Sequence, residues 1–411
     1  MIRTKRFSAA VLGLLLAAAA CQNEKLNRPF AVTPVDRLFD RYVSMGNSIT
    51  AGFQSGGIND STQSQAYAVL LARAMHTPFF SPLMNKPGCP PPYTNVFTGA
   101  RLSGGTPTTC ALRKTQAVTP PFISNTAVPG ALVNDVYTNG AGAHANSLTQ
   151  FFLGGLTQVQ MAAKAQPTFI SIWIGNNDVL GAATSGTNGG DTTLITPTTL
   201  FNARYDSMLQ AVDGLGAKGG VLVGVANVTA IPFFSAGATY WAIKNHLAPP
   251  DSFPTLFTVS NNCAPIATGI PGARGDSVLV PFPYGAALLG AAQAGAPRNL
   301  DCADSVAPVV VPSELVKLVT AVTAYNAHID STATARGWAY LNPNPTLDSL
   351  RTIPTAVRPF PAVGAACSAN PFGTAFSCDA VHPSAATQRL IAQKLRLAIN
   401  AAYTTAIPAI P

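Results

Sequence analysis

Apolar and polar positions alternate along this chain in two recurring patterns. Short continuous apolar runs occur at Tyr42–Met45, Thr168–Ile174 and Gly220–Ala226, with briefer ones at Phe122–Ile123 and Trp338–Leu341. Runs rich in β-branched and aromatic residues, with no polar alternation, predict strands buried on both faces. Between them lie longer stretches with helical spacing: Gln65–Met75, Leu148–Ala165, Leu200–Leu215 stopping at Gly216, Glu314–Arg336, and Ser384–Ala402 with Ser384 as its N-cap. Strand and helix alternation of this kind predicts an α/β fold: a parallel sheet of about five strands covered on both faces. Two stretches break the rhythm, 77–121 and 231–312, both rich in Pro and Gly, and are read as insertions lying over the sheet as loops or a lid. Residues 181–198 and 344–377 are read as loop, and no internal repeat is visible.

Composition adds a compartment. Of 411 residues, 47% are hydrophobic, enough for a substantial core. Charged residues are 10%, well below the usual quarter or so, and such a surface suits an exported chain. The first residues agree. Arg3, Lys5 and Arg6 form a basic n-region, and Ala9–Ala20 is an apolar run too short to span a bilayer as a mature helix. The run Leu14–Ala20 before Cys21 resembles a bacterial lipobox, with Ala18 where Leu is usual. The resemblance implies a signal peptide over 1–20, a lipid on Cys21, a tether over 21–35, a main domain over 36–403 and a tail over 404–411. Gln22 gives no inner-membrane retention signal, so the expected place is lipid-anchored on an outer membrane, with plain secretion as the alternative. Removing 1–20 takes away three basic and no acidic residues, lowering the formal charge from +8 to +5. The remaining Lys and Arg are scattered, which argues against a nucleic-acid partner.

Setting Cys21 aside leaves Cys89, Cys110, Cys263, Cys302, Cys367 and Cys378. An even count in an exported chain predicts disulfides, and six cysteines allow fifteen pairings. Sequence neighbours give Cys89–Cys110, Cys263–Cys302 and Cys367–Cys378, each closing a Pro/Gly-rich loop. No Cys-x-x-Cys spacing or His/Glu motif points to a metal, and no cofactor is expected.

The chemistry begins at Gly46-Asn47-Ser48, where the first apolar run ends in a turn. A serine nucleophile needs a base, a group to orient the base, and donors for an oxyanion. Of five histidines, His382 has the context: Asp379-Ala380-Val381-His382-Pro383 sets a carboxylate three residues before an imidazole, just ahead of a helix. There the carboxylate accepts from Nδ1 and leaves Nε2 to take the serine proton. His76, His144, His246 and His328 lack such a turn; Asp330 shares a helix with His328 but sits on another face. Asn125 and Gly130 follow one strand and Asn177 another, positions suited to oxyanion donors or to ordinary turns.

Together these blocks resemble the SGNH (GDSL-type) hydrolases across residues 42–400. Gly46-Asn47-Ser48 stands where that family has Gly-Asp-Ser; Asn125-x-Ala127-x-x-Gly130, Gly175-x-Asn177-Asp178 and Asp379-x-x-His382-Pro383 follow in order. The resemblance implies a three-layer α/β/α, flavodoxin-like fold. It further implies Ser48 as nucleophile, His382 as base, Asp379 as its partner, and an oxyanion hole from the Ser48 and Gly130 N–H groups and the Asn177 side chain, with Asp178 structural. Thr50 in place of a second glycine excludes a Gly-x-Ser-x-Gly elbow. The departure is Asn47, which keeps the shape of the family's Asp but not its charge. The expected function is a serine esterase or lipase on small-molecule or lipid esters. The alternative is a catalytically silent surface lipoprotein binding glycan or lipid in the same cleft. Phe79, Phe80, Phe233, Phe234, Tyr240 and Trp241 are candidates for an acyl-chain site, or equally for insertion core. Oligomeric state is left open.

Overall fold

A computed structural model describes residues 33–115, 122–138, 147–250 and 252–410. The leader, Cys21, most of the tether and His144 lie outside the described residues, as does the stretch 116–121 of the first insertion. The core is a parallel sheet of four strands: β1 (Tyr42–Gly46), β2 (Phe169–Trp173), β3 (Gly219–Val223) and β4 (Ala339–Leu341), in spatial order β1-β2-β3-β4. All residues of β1, β2 and β3 are buried, which is why their sequences carry no polar alternation. The expected fifth strand is reduced to backbone pairing beyond β1. Ser44 N–H donates to Ser124 O, and Thr126 N–H to Ser44 O, both at 2.9 Å, around a single parallel bridge between Ser44 and Asn125.

Successive side chains of each strand enter separate cores. Val43, Met45, Ile170, Ile172 and Leu222 pack on one face, while Tyr42, Phe169, Trp173, Val221 and Val223 pack on the other. The helices that frame the sheet and the site are, in chain order, α1 (Ser48–Ala51), α2 (Tyr67–Ala74), α3 (Gln158–Ala165), α4 (Asn177–Ala183), α5 (Thr198–Asp213), α6 (Pro312–Arg336), α7 (Asn344–Arg351) and α8 (Ala385–Tyr403); further helices lie at Asp60–Gln63, Ser147–Leu153, Gly237–Lys244 and Phe282–Gln293. α3, α5 and α6 cover the first face and α2 and α8 the second, giving three layers. From β1 the chain moves outward to residues 124–128, then returns to pair β2 on the other side of β1. The carboxyl end of β1 is therefore a topological switch point, where open α/β sheets bind ligands.

Several predicted elements shift. The single helix expected over Leu148–Ala165 is two, because Gly154 and Gly155, at φ +62° and +84°, end the first one. The loop read from 181 starts later, after α4 ends at Ala183. The stretch 344–377 is not all loop: α7 occupies its start, with Pro345 in its first turn. The second insertion is a folded unit, not a loose loop. It pairs Phe234–Ala236 with Leu279–Pro281 and Phe257–Val259 with Arg298–Leu300, and buries Tyr240, Phe257, Val280 and Leu300 in a core of its own around the Cys263–Cys302 disulfide. The cysteines are joined Cys89–Cys110, Cys263–Cys302 and Cys367–Cys378. No described helix is long and apolar enough to cross a membrane.

Candidate active site

The turn after β1 is built by its own residues. Asn47 caps α1, its Oδ1 accepting from Ile49 N–H at 3.1 Å. Gly46 is required there: a Cβ would lie 2.4 Å from Trp173 O and 2.5 Å from Thr50 Oγ1. α1 closes on Gly52 at φ +86°, where a Cβ would meet Gln63 Cα at 2.8 Å. Two buried glutamines fix the turn from outside. Gln158 of α3 accepts from Gly46 N–H and donates to Gly46 O, both at 2.8 Å. Gln388 of α8, fully buried, accepts from Tyr67 N–H at 2.9 Å and donates to Ile49 O at 3.1 Å. One side chain thus ties the helix behind His382 to the helix behind Ser48. Buried Ile391, Leu395 and Ile399 seat α8 on the sheet, each contributing about 2 kcal/mol.

Three predicted residues meet at this edge. The Ser48 Oγ lies 2.8 Å from His382 Nε2, and His382 Nδ1 lies 2.9 Å from Asp379 Oδ2. Asp379 Oδ2 also accepts from Gly56 N–H at 2.6 Å. Its Oδ1 accepts from Ser377 Oγ–H and from the N–H groups of Val381 and His382, at 3.1, 2.9 and 2.8 Å. Burial alone would push this carboxyl up. The His382 charge and the hydrogen bonds from His382 and Val381 outweigh it and hold the carboxyl down at about 2. An ionised Asp379 places the imidazole proton on Nδ1, so Nε2 accepts from the serine hydroxyl. The Phe53 ring packs on the imidazole with centroids 4.9 Å apart. The Asp379 turn is held against the segment after Ser48: Ser55 N–H donates to Ser377 Oγ and Cys378 N–H to Ser55 Oγ, at 2.8 and 3.1 Å. The Cys367–Cys378 disulfide anchors the same turn one residue before Asp379.

The predicted oxyanion donors separate. Asn177, first residue of α4, lines the same groove as Ser48 and spends one amide hydrogen on Ala131 O at 2.8 Å. Its second amide hydrogen remains for a ligand. Gly130 is exposed, at φ +81°, and is not part of the groove wall; the Asn177–Ala131 bond sets its turn beside the Asn177 amide. Asn125 is a brace instead, donating to Thr50 O at 2.9 Å and accepting from Ala127 N–H at 3.2 Å. Asp178 accepts from Val133 N–H at 3.1 Å and from Thr196 Oγ–H at 3.0 Å. Asn47 donates across to Asn176 Oδ1 at 3.4 Å, a contact a carboxylate in its place would lose.

Ser48 and His382 open into a groove along the carboxyl ends of the strands, with an accessible volume of about 100 Å³. Its walls are mostly apolar: Leu180, Ile231, Leu347, Leu350, Phe376 and Ile391. None of the six aromatic residues proposed from sequence lines it. Phe79 stacks on Tyr42, Phe80 meets Phe122, Phe233 and Phe234 pack on each other, and Tyr240 and Trp241 belong to the insertion core. The groove residues went unread because they come from five separate segments; Pro345 followed by Leu347 and Leu350 was the one local signal for α7. His328, which lacks a carboxylate-bearing turn, pairs instead with Asp206 of the distant α5 at 2.8 Å, outside the groove wall.

No family model matches the chain, and no curated protein matches it. Among solved structures, the acetylxylan esterase Axe2 from Geobacillus stearothermophilus shares 10% identity, covers 88% of this chain and 94% of its own, and gives a TM-score of 0.37. An α/β-hydrolase enzyme from the metagenome of Lake Arreo shares 12%, covers 90% and 98%, with a TM-score of 0.37. The extracellular lipase from Streptomyces rimosus shares 14%, covers 88% and 98%, with a TM-score of 0.35. At such TM-scores the likeness carries no argument about this chain, and the reading of the site rests on its own residues.

Proposed function

We propose that this protein is a serine hydrolase of carboxylic esters, of SGNH type. The observation that carries the reading is the hydrogen-bonded relay Ser48–His382–Asp379 at the mouth of an apolar groove. In the proposed reaction, Ser48 Oγ attacks the ester carbonyl carbon while its proton passes to His382 Nε2. The negative charge on the former carbonyl oxygen is held by the Asn177 amide and by the N–H groups of Ser48 and Gly130. As the tetrahedral adduct collapses, the C–O bond to the alcohol breaks and His382 returns the proton to the leaving oxygen. Water, deprotonated by His382, then attacks the acyl–Ser48 ester; the acyl C–Oγ bond breaks, His382 returns the proton to Ser48 Oγ, and the acid is released. Asp379 stays ionised throughout and stabilises the imidazolium.

A fluorophosphonate probe tests this directly. The expected result is stoichiometric labelling of the pure protein, with the added mass on the peptide bearing Ser48. A protein that takes up no probe, or takes it up elsewhere, removes the nucleophile and with it the reading.

The position of the Cys367–Cys378 disulfide gives a second expected result. It anchors the Asp379 turn but not the sheet, so reduction loosens the relay first. Titration with a water-soluble phosphine should lower esterase activity severalfold while far-ultraviolet circular dichroism is unchanged. Simultaneous loss of both signals, or full activity after thiol counting confirms reduction, refutes the link.

A further inference from the structure

We propose that the groove measures the acyl chain of its ester, taking an aliphatic chain of about eight carbons that runs from Ser48 to Lys394 of α8. This deepens, and rests on, the ester-hydrolase reading. The groove leads away from the nucleophile. Its floor crosses the carboxyl ends of the strands, from Trp173 of β2 past Ala226, after β3, to Leu341 of β4. α7 supplies one wall through Leu347 and Leu350, and α8 supplies another through Thr387, Ile391 and Lys394. The three α8 positions are spaced four and three apart, so they form one stripe on one face of the helix. Polar side chains gather at the nucleophile's end, where Asn47 and Asn176 join Asn177. Beyond them the walls from α7 and α8 offer only two threonines, Thr346 and Thr387, before Lys394.

Two independent measures set the length. From Thr387 to Lys394 is seven residues of helix, about 10 Å at about 1.5 Å per residue, a distance that an extended chain of about eight carbons spans. The accessible volume is about 100 Å³, and a water-sized group needs about 10–15 Å³ of such space, so the groove admits about seven to ten methylene-sized groups. Burial marks where the groove ends. Among the described residues of its wall, Lys394 is the only exposed one; the rest are buried or half-buried. A lysine covers apolar surface with its stem and keeps its ammonium in water, so Lys394 stands at the mouth. Each methylene short of that mouth is taken out of water on binding, and each one past it is not. The acyl half is the occupant because it stays joined to Ser48 through both chemical steps. The alcohol half must leave between them, and an apolar wall of this length would slow its release.

The test is a series of 4-nitrophenyl esters from acetate to dodecanoate, each kept below the concentration at which it aggregates. In the wild type, kcat/KM should rise about threefold per carbon from butanoate to octanoate, then level off to within about twofold by dodecanoate. A maximum at acetate overturns the inference, and so does a rise that continues with the same slope to dodecanoate. A matching dependence on the alcohol, in a series of alkyl acetates, overturns it too. A wall substitution moves the break. Ile391 lies four residues from Thr387, about 6 Å along the helix, so Ile391→Trp should bring the break to about five carbons. The readout is the position of the break, which general damage to a variant does not move. If that variant fails to fold, Leu350→Trp on the facing wall should shorten the break in the same direction. A break that stays where the wild type has it, in a folded variant, counts against the proposal. The parallel fluorophosphonate assay separates the two levels. A protein labelled on Ser48 whose rates ignore chain length sinks this inference alone, whereas one that is neither labelled nor active sinks the ester-hydrolase reading and this one together.

Discussion

Replacing Asp379 with Asn should lower kcat by about 10⁴-fold, and Ser48→Ala by about 10⁴- to 10⁶-fold, the range that loss of one member of such a relay costs. The asymmetry of the Asp379 contacts gives the first figure its physical basis. Five donors converge on this carboxylate: Gly56 N–H and His382 Nδ1–H on Oδ2, and Ser377 Oγ–H, Val381 N–H and His382 N–H on Oδ1. An amide has one oxygen. With that oxygen placed where Oδ1 was, the NH₂ group faces Gly56 N–H and His382 Nδ1. The imidazole then turns its unprotonated nitrogen to the amide and presents Nε2–H to Ser48, the wrong tautomer for a base. With the amide reversed, three donors lose their acceptor and the turn opens. Either way the expected loss falls on kcat, with little change in KM, because the apolar groove wall is untouched. Steady-state kinetics on a nitrophenyl ester checks this. An Asp379→Asn variant within tenfold of wild type, with its fold intact by circular dichroism, removes Asp379 from the relay.

The relay was legible in the sequence because its parts are locally encoded. Asp379 and His382 sit three residues apart in a turn, and Ser48 follows a run whose burial is written in its composition. β2 and β3 were legible for the same reason, as strands buried on both faces tolerate no polar alternation. Asn47 read as a lost charge. In the fold it is a cap and a bridge, accepting from Ile49 N–H and donating to Asn176, so the turn is built around an amide.

What stayed hidden is what the fold assembles from distance. The groove wall draws Leu180, Ile231, Leu347, Phe376 and Ile391 from five segments, and no periodicity announces that they meet. α7 carries two apolar residues on a polar, Pro-bearing stretch, too few for a helical pattern. The second insertion builds its core from three-residue strands, below the length at which alternation can be read, and from two helices, Gly237–Lys244 and Phe282–Gln293, that lie within a Pro/Gly-rich stretch. The brace Gln388 is equally silent: one glutamine in an amphipathic helix, whose partners lie more than three hundred residues away.

Asp178 supplies the second large expected effect, on stability. Asp178→Asn should raise the melting temperature at pH 8 by a few degrees and leave it unchanged near pH 4. Burial pushes this carboxyl up to about 6, against the lowering effect of the Val133 and Thr196 hydrogen bonds and the Arg204 charge; the Asp135 charge adds to the rise. The sign follows from proton counting. Between the usual carboxylate value of 3.8 and about 6, the folded chain holds the proton and the unfolded chain has released it. Stability therefore falls as pH rises through that window and stays lower above it. A shift of about two units corresponds to about 3 kcal/mol, which for a chain of this size is a few degrees. Asparagine imitates the protonated acid. Its oxygen accepts from Val133 N–H and its NH₂ donates to Thr196 Oγ, so both contacts survive without the buried charge. Calorimetry from pH 4 to 8 distinguishes the cases. A wild type that melts lower at pH 8 than at pH 4, beside a variant with that drop removed, is the expected pair. If the variant melts below the wild type at pH 8, the charge on Asp178 stabilises the clamp on the loop at Val133, and burial is not the dominant influence at this position.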